Sequence, residues 1–245
     1  MAGEVRIGTT GWVYRHWRQI FYPAGLPQAA WFGFYARHFS TVEINNSFYR
    51  LPSEAAVDRW RNDAPNGFVY AVKANRYITH VKRLHDCAEA VERFLDRMRL
   101  LGPHLGPILY QLPPNWKPAP ARLAAFADLL PDDLVHVFEF RDPRWFDDAI
   151  RKVLEQHKLA FCRHDHEGLS CPDWQTGRIA YLRYHGSKTT VDHGYSAHQL
   201  RQIASTVRDL SGPRRPVYVY FNNDANGCAV SNARDLSRLL GGTAD

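Results

Sequence analysis

The chain has 245 residues, 45% of them hydrophobic and 23% charged, which is enough apolar sequence to bury one large core and excludes an intrinsically disordered chain. No apolar run approaches the roughly 20 residues of a membrane-spanning helix, and the N-terminal residues lack the apolar stretch of a secretory signal, so we expect a cytoplasmic protein without a membrane partner. The net charge of +6 is a mild excess that would attract anionic ligands, and the four cysteines show no C-x-x-C spacing that would indicate zinc or a disulfide framework.

Short runs rich in β-branched and aromatic residues recur along the chain and predict eight strands. Helical periodicity lies between most of them, as in residues 88–101 and 195–210. Strands that alternate with helices form a parallel sheet, so the sequence predicts a single (β/α)8 TIM-type barrel over residues 1–245. The predicted strands are Val5–Gly8, Thr41–Ile44, Phe68–Lys73, Ile108–Leu112, Val135–Phe140, Leu159–Cys162, Ile179–Tyr184 and Val217–Phe221.

Two connections depart from a regular barrel. Residues 9–28 form a long aromatic connection, and residues 163–178 show no helical pattern, so we expect irregularity around strands six and seven. An open doubly wound sheet is the alternative fold. Helix starts are predicted at Ser53 and at Asp142-Pro143, the latter ahead of a helix over residues 144–156.

Most predicted strands end in polar or charged residues. Side chains of the same parity share a face of a strand, and the carboxyl ends of barrel strands carry the functional site, so these residues are predicted to line one pocket. A salt-bridged plug inside the barrel is the structural alternative, but burying so many ions costs several kcal/mol per ion unless they are well paired. The residues are Glu43, Asn45, Lys73, Gln111, Glu139, Arg141, Arg183, His185 and Asn222.

The balance of charges at this pocket suggests acid–base chemistry. Glu43 and Glu139 could serve as proton carriers, with Arg141 lowering one carboxyl pKa, and His185 could titrate near neutral pH. Lys73 could form a Schiff base if it is desolvated, but an anchor for substrate phosphate or carboxylate is the more usual role of such a lysine.

Metal binding is compatible with these residues but not favoured, and no cofactor is predicted. Glu43, Glu139, Asp165 and His185 are potential ligands, yet the neighbouring cations would compete with a metal ion for the carboxylates. The His164-x-His166 pair could also ligate a metal, although a histidine pair in a loop is more often solvated.

Aromatic side chains are concentrated in the predicted loops above the pocket. Flat rings suit sugars or bases, but a long loop must also pack its own side chains, so both interpretations stay open. The residues are Trp12, Tyr14, Trp17, Phe21, Tyr22, Phe48, Tyr49, Tyr77 and Trp116.

Eight motifs occur in order along the chain. They are Gly8-Thr9-Thr10-Gly11-Trp12, Val42-Glu43-Ile44-Asn45-Asn46-Ser47-Phe48-Tyr49, Ala71-Val72-Lys73, Ile78-Thr79-His80, Tyr110-Gln111-Leu112-Pro113-Pro114, Glu139-Phe140-Arg141, Tyr181-Leu182-Arg183-Tyr184-His185-Gly186 and Tyr218-Val219-Tyr220-Phe221-Asn222-Asn223. Together they resemble the YecE-like family, also called domain of unknown function 72, from about Val5 to Leu240. The resemblance implies a TIM barrel with a polar cleft and adds His80 to the candidate site. It implies no established reaction, and fold analogy to apurinic endonucleases and sugar isomerases does not transfer function.

The leading hypothesis is an enzyme that acts by acid–base chemistry on an anionic or polyhydroxylated substrate, such as a sugar or nucleotide. Glu43, Glu139 and His185 would be catalytic, and the substrate would be bound by Asn45, Lys73, His80, Gln111, Arg141, Arg183 and Asn222. The alternatives are a nucleic-acid or nucleotide binding module without turnover and a metal-dependent phosphoester hydrolase.

Overall fold

Eight parallel strands form the centre of the structure, a computed structural model that describes residues 3–186, 194–212 and 215–241. Their order around the sheet is β1-β8-β7-β6-β5-β4-β3-β2. This arrangement confirms the predicted TIM-type barrel. The strands are β1 Val5–Thr9, β2 Thr41–Ile44, β3 Val69–Lys73, β4 Leu105–Gln111, β5 His136–Glu139, β6 Ala160–His164, β7 Ala180–Tyr184 and β8 Val217–Phe221.

Helices pack around the outside of the barrel, and none in the described ranges is long and apolar enough to cross a membrane. The α-helices are α1 Trp31–His38, α2 Asn46–Tyr49, α3 Glu54–Asp63, α4 Ala88–Arg99, α5 Pro120–Ala127, α6 Asp148–Gln156, α7 Ala197–Leu210 and α8 Cys228–Leu239. A π-helix covers Tyr77–Val81, and 3-10 turns cover Arg15–Trp17, Gln28–Ala30, Gly102–His104, Pro143–Trp145, His166–Gly168 and Ala225–Gly227.

The helix signals in the sequence were right at one site and wrong at another. Ser53 caps α3 by accepting a hydrogen bond from the Ala56 amide. Asp142 caps only the turn Pro143–Trp145, because the backbone leaves the helical region at Phe146. Helix α6 therefore begins at Asp148, where Asp147 is the N-cap and accepts from the Ala149 amide at 2.8 Å.

The barrel closes between β1 and β2 through a side chain of α1. The buried Tyr35 hydroxyl accepts a hydrogen bond from the Thr9 amide at 3.0 Å and donates to the Thr41 carbonyl at 3.0 Å. The two strands approach so closely that a Cβ on Gly8 would lie 2.3 Å from the Thr41 carbonyl oxygen. A doubly wound open sheet would separate these strands, so this alternative is excluded.

Side chains fill the barrel interior below the carboxyl ends of the strands. Small, aliphatic and aromatic side chains from six strands and their flanking residues form an inner cluster. This cluster is separate from the larger core between the sheet and the helices. The filled interior confines any ligand to the carboxyl ends of the strands. The buried members are Ala71, Leu109, Val137, Ala160, Cys162, Ile179, Tyr181 and Tyr220.

Most aromatic residues of the long first connection are packing residues. Trp17 and Tyr22 are buried, and Tyr22 stacks on Trp31 with ring centroids 4.6 Å apart. The Trp17 indole donates to the Asp224 carboxylate at 2.6 Å, which ties this connection to the loop after β8.

Tyr35→Phe removes the hydroxyl that joins β1 to β2 and leaves the Thr9 amide without that acceptor. We expect the free energy of unfolding in urea to fall by about 1–3 kcal/mol, the usual penalty for an unsatisfied buried group. Tyr77→Phe, on a side chain that is 45% exposed, is the matched control and should change little. Equal stabilities for the two variants would show that the Tyr35 hydroxyl does not stabilise the closure.

Candidate functional site

A cleft of about 510 Å³ lies at the carboxyl ends of the strands. Seven of the ten predicted site residues line it: Asn45, Lys73, Gln111, Arg141, Arg183, His185 and Asn222. Tyr14, Phe48, Tyr49, Pro114 and His166 complete the lining. The alternation of side chains along each strand therefore places polar groups from β3, β4 and β7, and from the residues that follow β2, β5, β7 and β8, around one space.

Beneath the cleft, the guanidinium group of Arg183 bridges two buried carboxylates. Its Nη2 lies 2.8 Å from Glu43 Oε1 and its Nη1 lies 2.6 Å from Glu139 Oε2. All three side chains are almost completely inaccessible to solvent. The Tyr181 hydroxyl donates to the second Glu43 oxygen at 2.6 Å. Both carboxylates are thus held by their neighbours, and neither lines the cleft.

Arg141 makes the second contact to Glu139, through its Nε, and its Nη2 lies 3.2 Å from His185 Nε2. Burial alone would raise the pKa of Glu139, but the charges of Arg183 and Arg141 outweigh burial and hold the pKa well below its usual value. Glu139 is therefore a carboxylate at neutral pH with no proton to donate.

Lys73 differs from Arg141 and Arg183, the other cations of the cleft, because no described carboxylate lies within salt-bridge distance of it. Its Nζ donates to the Gln111 side-chain carbonyl at 2.6 Å and sits 4.3 Å from the centre of the Phe48 ring. Burial, followed by the charge of Arg183, lowers the Lys73 pKa to about 8. The amine thus exists in both protonation states near physiological pH.

His185 is a neutral imidazole, contrary to the expectation that it titrates near neutral pH. Burial, and then the charges of Arg183 and Arg141, lower its pKa to about 2. Asn222 Nδ2 lies 3.0 Å from His185 Nδ1. The backbone amide of His185 donates to Asp165 Oδ1 at 2.7 Å. These contacts fix the ring at the wall of the cleft.

His80, which the family resemblance added to the site, does not line the cleft. It packs against the edge of Phe48, with ring centroids 5.0 Å apart, and the Thr79 hydroxyl lies 2.9 Å from its Nδ1. Phe48, which lines the cleft, therefore contacts both His80 and Lys73. The role of His80 in substrate binding stays a prediction.

Tyr181, Tyr14 and His166 contribute to the site but were not among its ten predicted residues, although Tyr14 was considered for ligand stacking and His166 for metal binding. Tyr181 shares its face of β7 with Arg183, so parity placed it inward, but its bond to Glu43 depends on the strand opposite. Tyr14 and His166 reach the cleft from irregular loops, for which no periodicity predicts a direction.

The residues considered as metal ligands are engaged in other contacts. Glu43 and Glu139 bind arginine, and His164 Nε2 lies 2.7 Å from the Phe140 carbonyl oxygen. Within the described parts of the chain, no group of three or more His, Cys, Asp or Glu side chains is placed to hold a metal ion. The metal-dependent alternative stays a prediction without support from this geometry.

The barrel and its polar cleft define a TIM-barrel protein with a candidate site at the carboxyl ends of its strands. A family model described as "Protein of unknown function DUF72" matches residues 6–245, and the chain belongs to this family. The resemblance found in the sequence motifs is thereby confirmed.

Relatives and solved structures agree with this assignment. The chain is 39% identical over 114 residues to UPF0759 protein YecE of Escherichia coli (strain K12), a match that covers 46% of this chain and 42% of YecE. It is 23% identical to UPF0759 protein YunF of Bacillus subtilis (strain 168), over 96% of this chain and 94% of YunF. A DUF72 family protein of Thermotoga maritima is 26% identical with a TM-score of 0.88, over 97% and 99% of the two chains.

A more distant likeness, to SacUVDE, has 8% identity and a TM-score of 0.58 over 98% of each chain. At this identity the likeness supports the barrel fold alone.

Glu139→Gln removes one of the two buried carboxylate charges that balance Arg183 and Arg141. We expect the free energy of unfolding to fall by about 3–5 kcal/mol at pH 7, the usual effect of breaking a buried ion pair from one side. The pKa of Glu139 is lower in the folded protein than in the unfolded chain, where it is about 4.3. The Glu139 carboxylate therefore stabilises the fold fully above about pH 4.3, and this stabilisation is lost as the pH falls toward the pKa of the folded protein. The difference in free energy of unfolding between the unmodified protein and Glu139→Gln should therefore become smaller below about pH 4.

The matched control is Glu155→Gln, which breaks the exposed pair between Arg151 and Glu155 at 2.8 Å. Exposed pairs contribute little, so this variant should unfold in urea almost like the unmodified protein. A Glu139→Gln protein as stable as the control would contradict the assigned role of the cluster.

Proposed function

We propose that this protein is an enzyme that binds an anionic or polyhydroxylated small molecule in the cleft and transfers a proton to or from it through Lys73. The observation that carries the proposal is the environment of Lys73. Its side chain is half-buried at the cleft wall, bound only to a neutral amide and an aromatic face among the described residues, with a pKa of about 8. General acid–base groups are most effective when their pKa lies near the working pH.

The rest of the cleft suits a substrate with several hydroxyl or anionic groups. Among the described residues, Asn45 Oδ1 and Arg183 Nε are buried without a hydrogen-bond partner, and both belong to cleft-lining side chains. Such atoms are unusual in folded proteins. A hydroxyl could donate to Asn45 and an oxygen could accept from Arg183, while Gln111 and Asn222 offer further polar contacts.

The proposed step uses only groups that reach the cleft. The neutral amine of Lys73 takes a proton from a substrate C–H or O–H bond, and the electron pair of that bond stays on the substrate. Arg141 lies in the same cleft and stabilises the negative charge that develops. Glu43 and Glu139 then serve as positioning residues that hold Arg183 and Arg141, in place of the proton-carrying role expected from the sequence.

Sulfate is a suitable probe because its charge is constant between pH 7 and pH 10. Lys73 is mostly protonated below its pKa of about 8 and neutral above it, so sulfate affinity measured by calorimetry should fall about tenfold or more across this range. Lys73→Arg should keep the affinity at pH 10, because arginine stays charged. Lys73→Met should bind weakly at both pH values, and Lys152→Met, on the exposed side of α6, is the matched control.

Proton transfer is tested with the same proteins in D2O, using a defined set of aldose and ketose phosphates followed by mass spectrometry. We expect deuterium to enter a C–H position of at least one compound with the unmodified and Lys152→Met proteins, and not with Lys73→Met. Exchange that persists in Lys73→Met, or sulfate binding independent of pH, would overturn the role of Lys73.

A further inference from the structure

The surface next to the cleft carries exposed aromatic, apolar and cationic side chains on two neighbouring loops. Tyr49 follows β2 and is 73% exposed, and Tyr77 and Val81 follow β3 and are 45% and 60% exposed. Arg76 and Arg83 lie on the same β3 loop and are also exposed. We call Tyr49, Arg76, Tyr77, Val81 and Arg83 the rim.

The rim is continuous with the cleft. The Asn75 side chain donates to the Ser47 carbonyl at 3.0 Å, and the Ser47 hydroxyl donates to the Lys73 carbonyl at 2.7 Å. These bonds join the loop after β2 to the loop after β3 at the position of Lys73. Tyr49 belongs to both the rim and the cleft lining.

The backbone of the β3 loop adopts unusual conformations. A π-helix covers Tyr77–Val81, and Arg83, Leu84 and Asp86 have positive φ angles of 48°, 61° and 46°. The buried Leu84 anchors the segment, and its amide donates to the Ile78 carbonyl at 3.0 Å. Single π-turns and left-handed non-glycine residues occur frequently at functional sites, where the surrounding structure maintains them.

Positive charge extends from the rim into the cleft. His80, on the β3 loop, contacts Phe48 of the cleft lining. Burial, and then the charges of Lys73, Arg76, Arg141 and Arg83, lower its pKa to about 4. These four cations, two on the rim and two at the cleft, all lie near enough to His80 to lower its pKa.

We infer that the rim binds the phosphodiester backbone and bases of a single-stranded nucleic acid, one nucleotide of which enters the cleft. This inference rests on the proposed function, because the nucleotide would occupy the same cleft. Cations placed next to exposed tyrosine rings match a strand that repeats a phosphate and a flat base. An acidic protein segment would match the cations but not a series of stacking faces.

The test is fluorescence anisotropy with a fluorescein-labelled oligothymidylate of about 12 nucleotides and an abasic strand of the same length and charge. Arg76→Gln/Arg83→Gln should weaken binding of the oligothymidylate about tenfold at low salt. It should also reduce the dependence of log affinity on log salt by about 1.4, the value for two lost phosphate contacts. Tyr77→Ser should weaken oligothymidylate binding and leave binding of the abasic strand unchanged.

Arg59→Gln/Arg93→Gln, on the exposed faces of α3 and α4, removes the same charge elsewhere and should bind like the unmodified protein. Equal losses in both double variants would mean that net charge alone attracts the strand, which would overturn the inference. Absent binding of oligothymidylate at low salt, or equally strong binding of polyglutamate, would also overturn it. Sulfate binding by the unmodified protein tests the cleft separately, so failure of the rim and failure of the proposed function are distinguishable.

Discussion

The Arg183 guanidinium group between Glu43 and Glu139 is the constraint on which the rest of the site depends. It links β7 to β2 and to β5, strands that are not neighbours in the sheet. Three buried ions would each destabilise the fold by several kcal/mol if left unpaired. Their mutual contacts, with Arg141 and Tyr181, satisfy both carboxylates and make the upper barrel a rigid ionic layer.

This layer determines which groups remain available to a ligand. Both carboxylates are paired with arginine below the cleft, and burial, followed by the charges of Arg183 and Arg141, keeps His185 neutral. Among the described cations that line the cleft, Arg141 and Arg183 pair with carboxylates, whereas Lys73 contacts Gln111 and Phe48. We therefore propose that Lys73 transfers the proton in place of Glu43 and Glu139. The two carboxylates orient the arginines.

Much of this arrangement could be predicted from the sequence, and the missing part has a physical explanation. Parity along β3, β4 and β7 brought Lys73, Gln111 and Arg183 to one place, because side-chain direction is a local property of a strand. The pairing of Glu43 with Arg183 could not be predicted, since it depends on distances across the closed barrel. The neutral state of His185 likewise depends on burial and on charges from other strands. Closure by Tyr35 of α1 had no local signal either.

The proposed function requires Lys73 to be the titrating amine of the cleft. The chain has six lysines, so carbon-13 NMR of side-chain-labelled lysine can follow each signal through a pH titration, with Lys73→Met to assign the resonance. We expect a Lys73 pKa of about 8, well below that of the exposed lysines. A Lys73 signal that titrates with the other lysines, near the ordinary value of about 10.4, would contradict it.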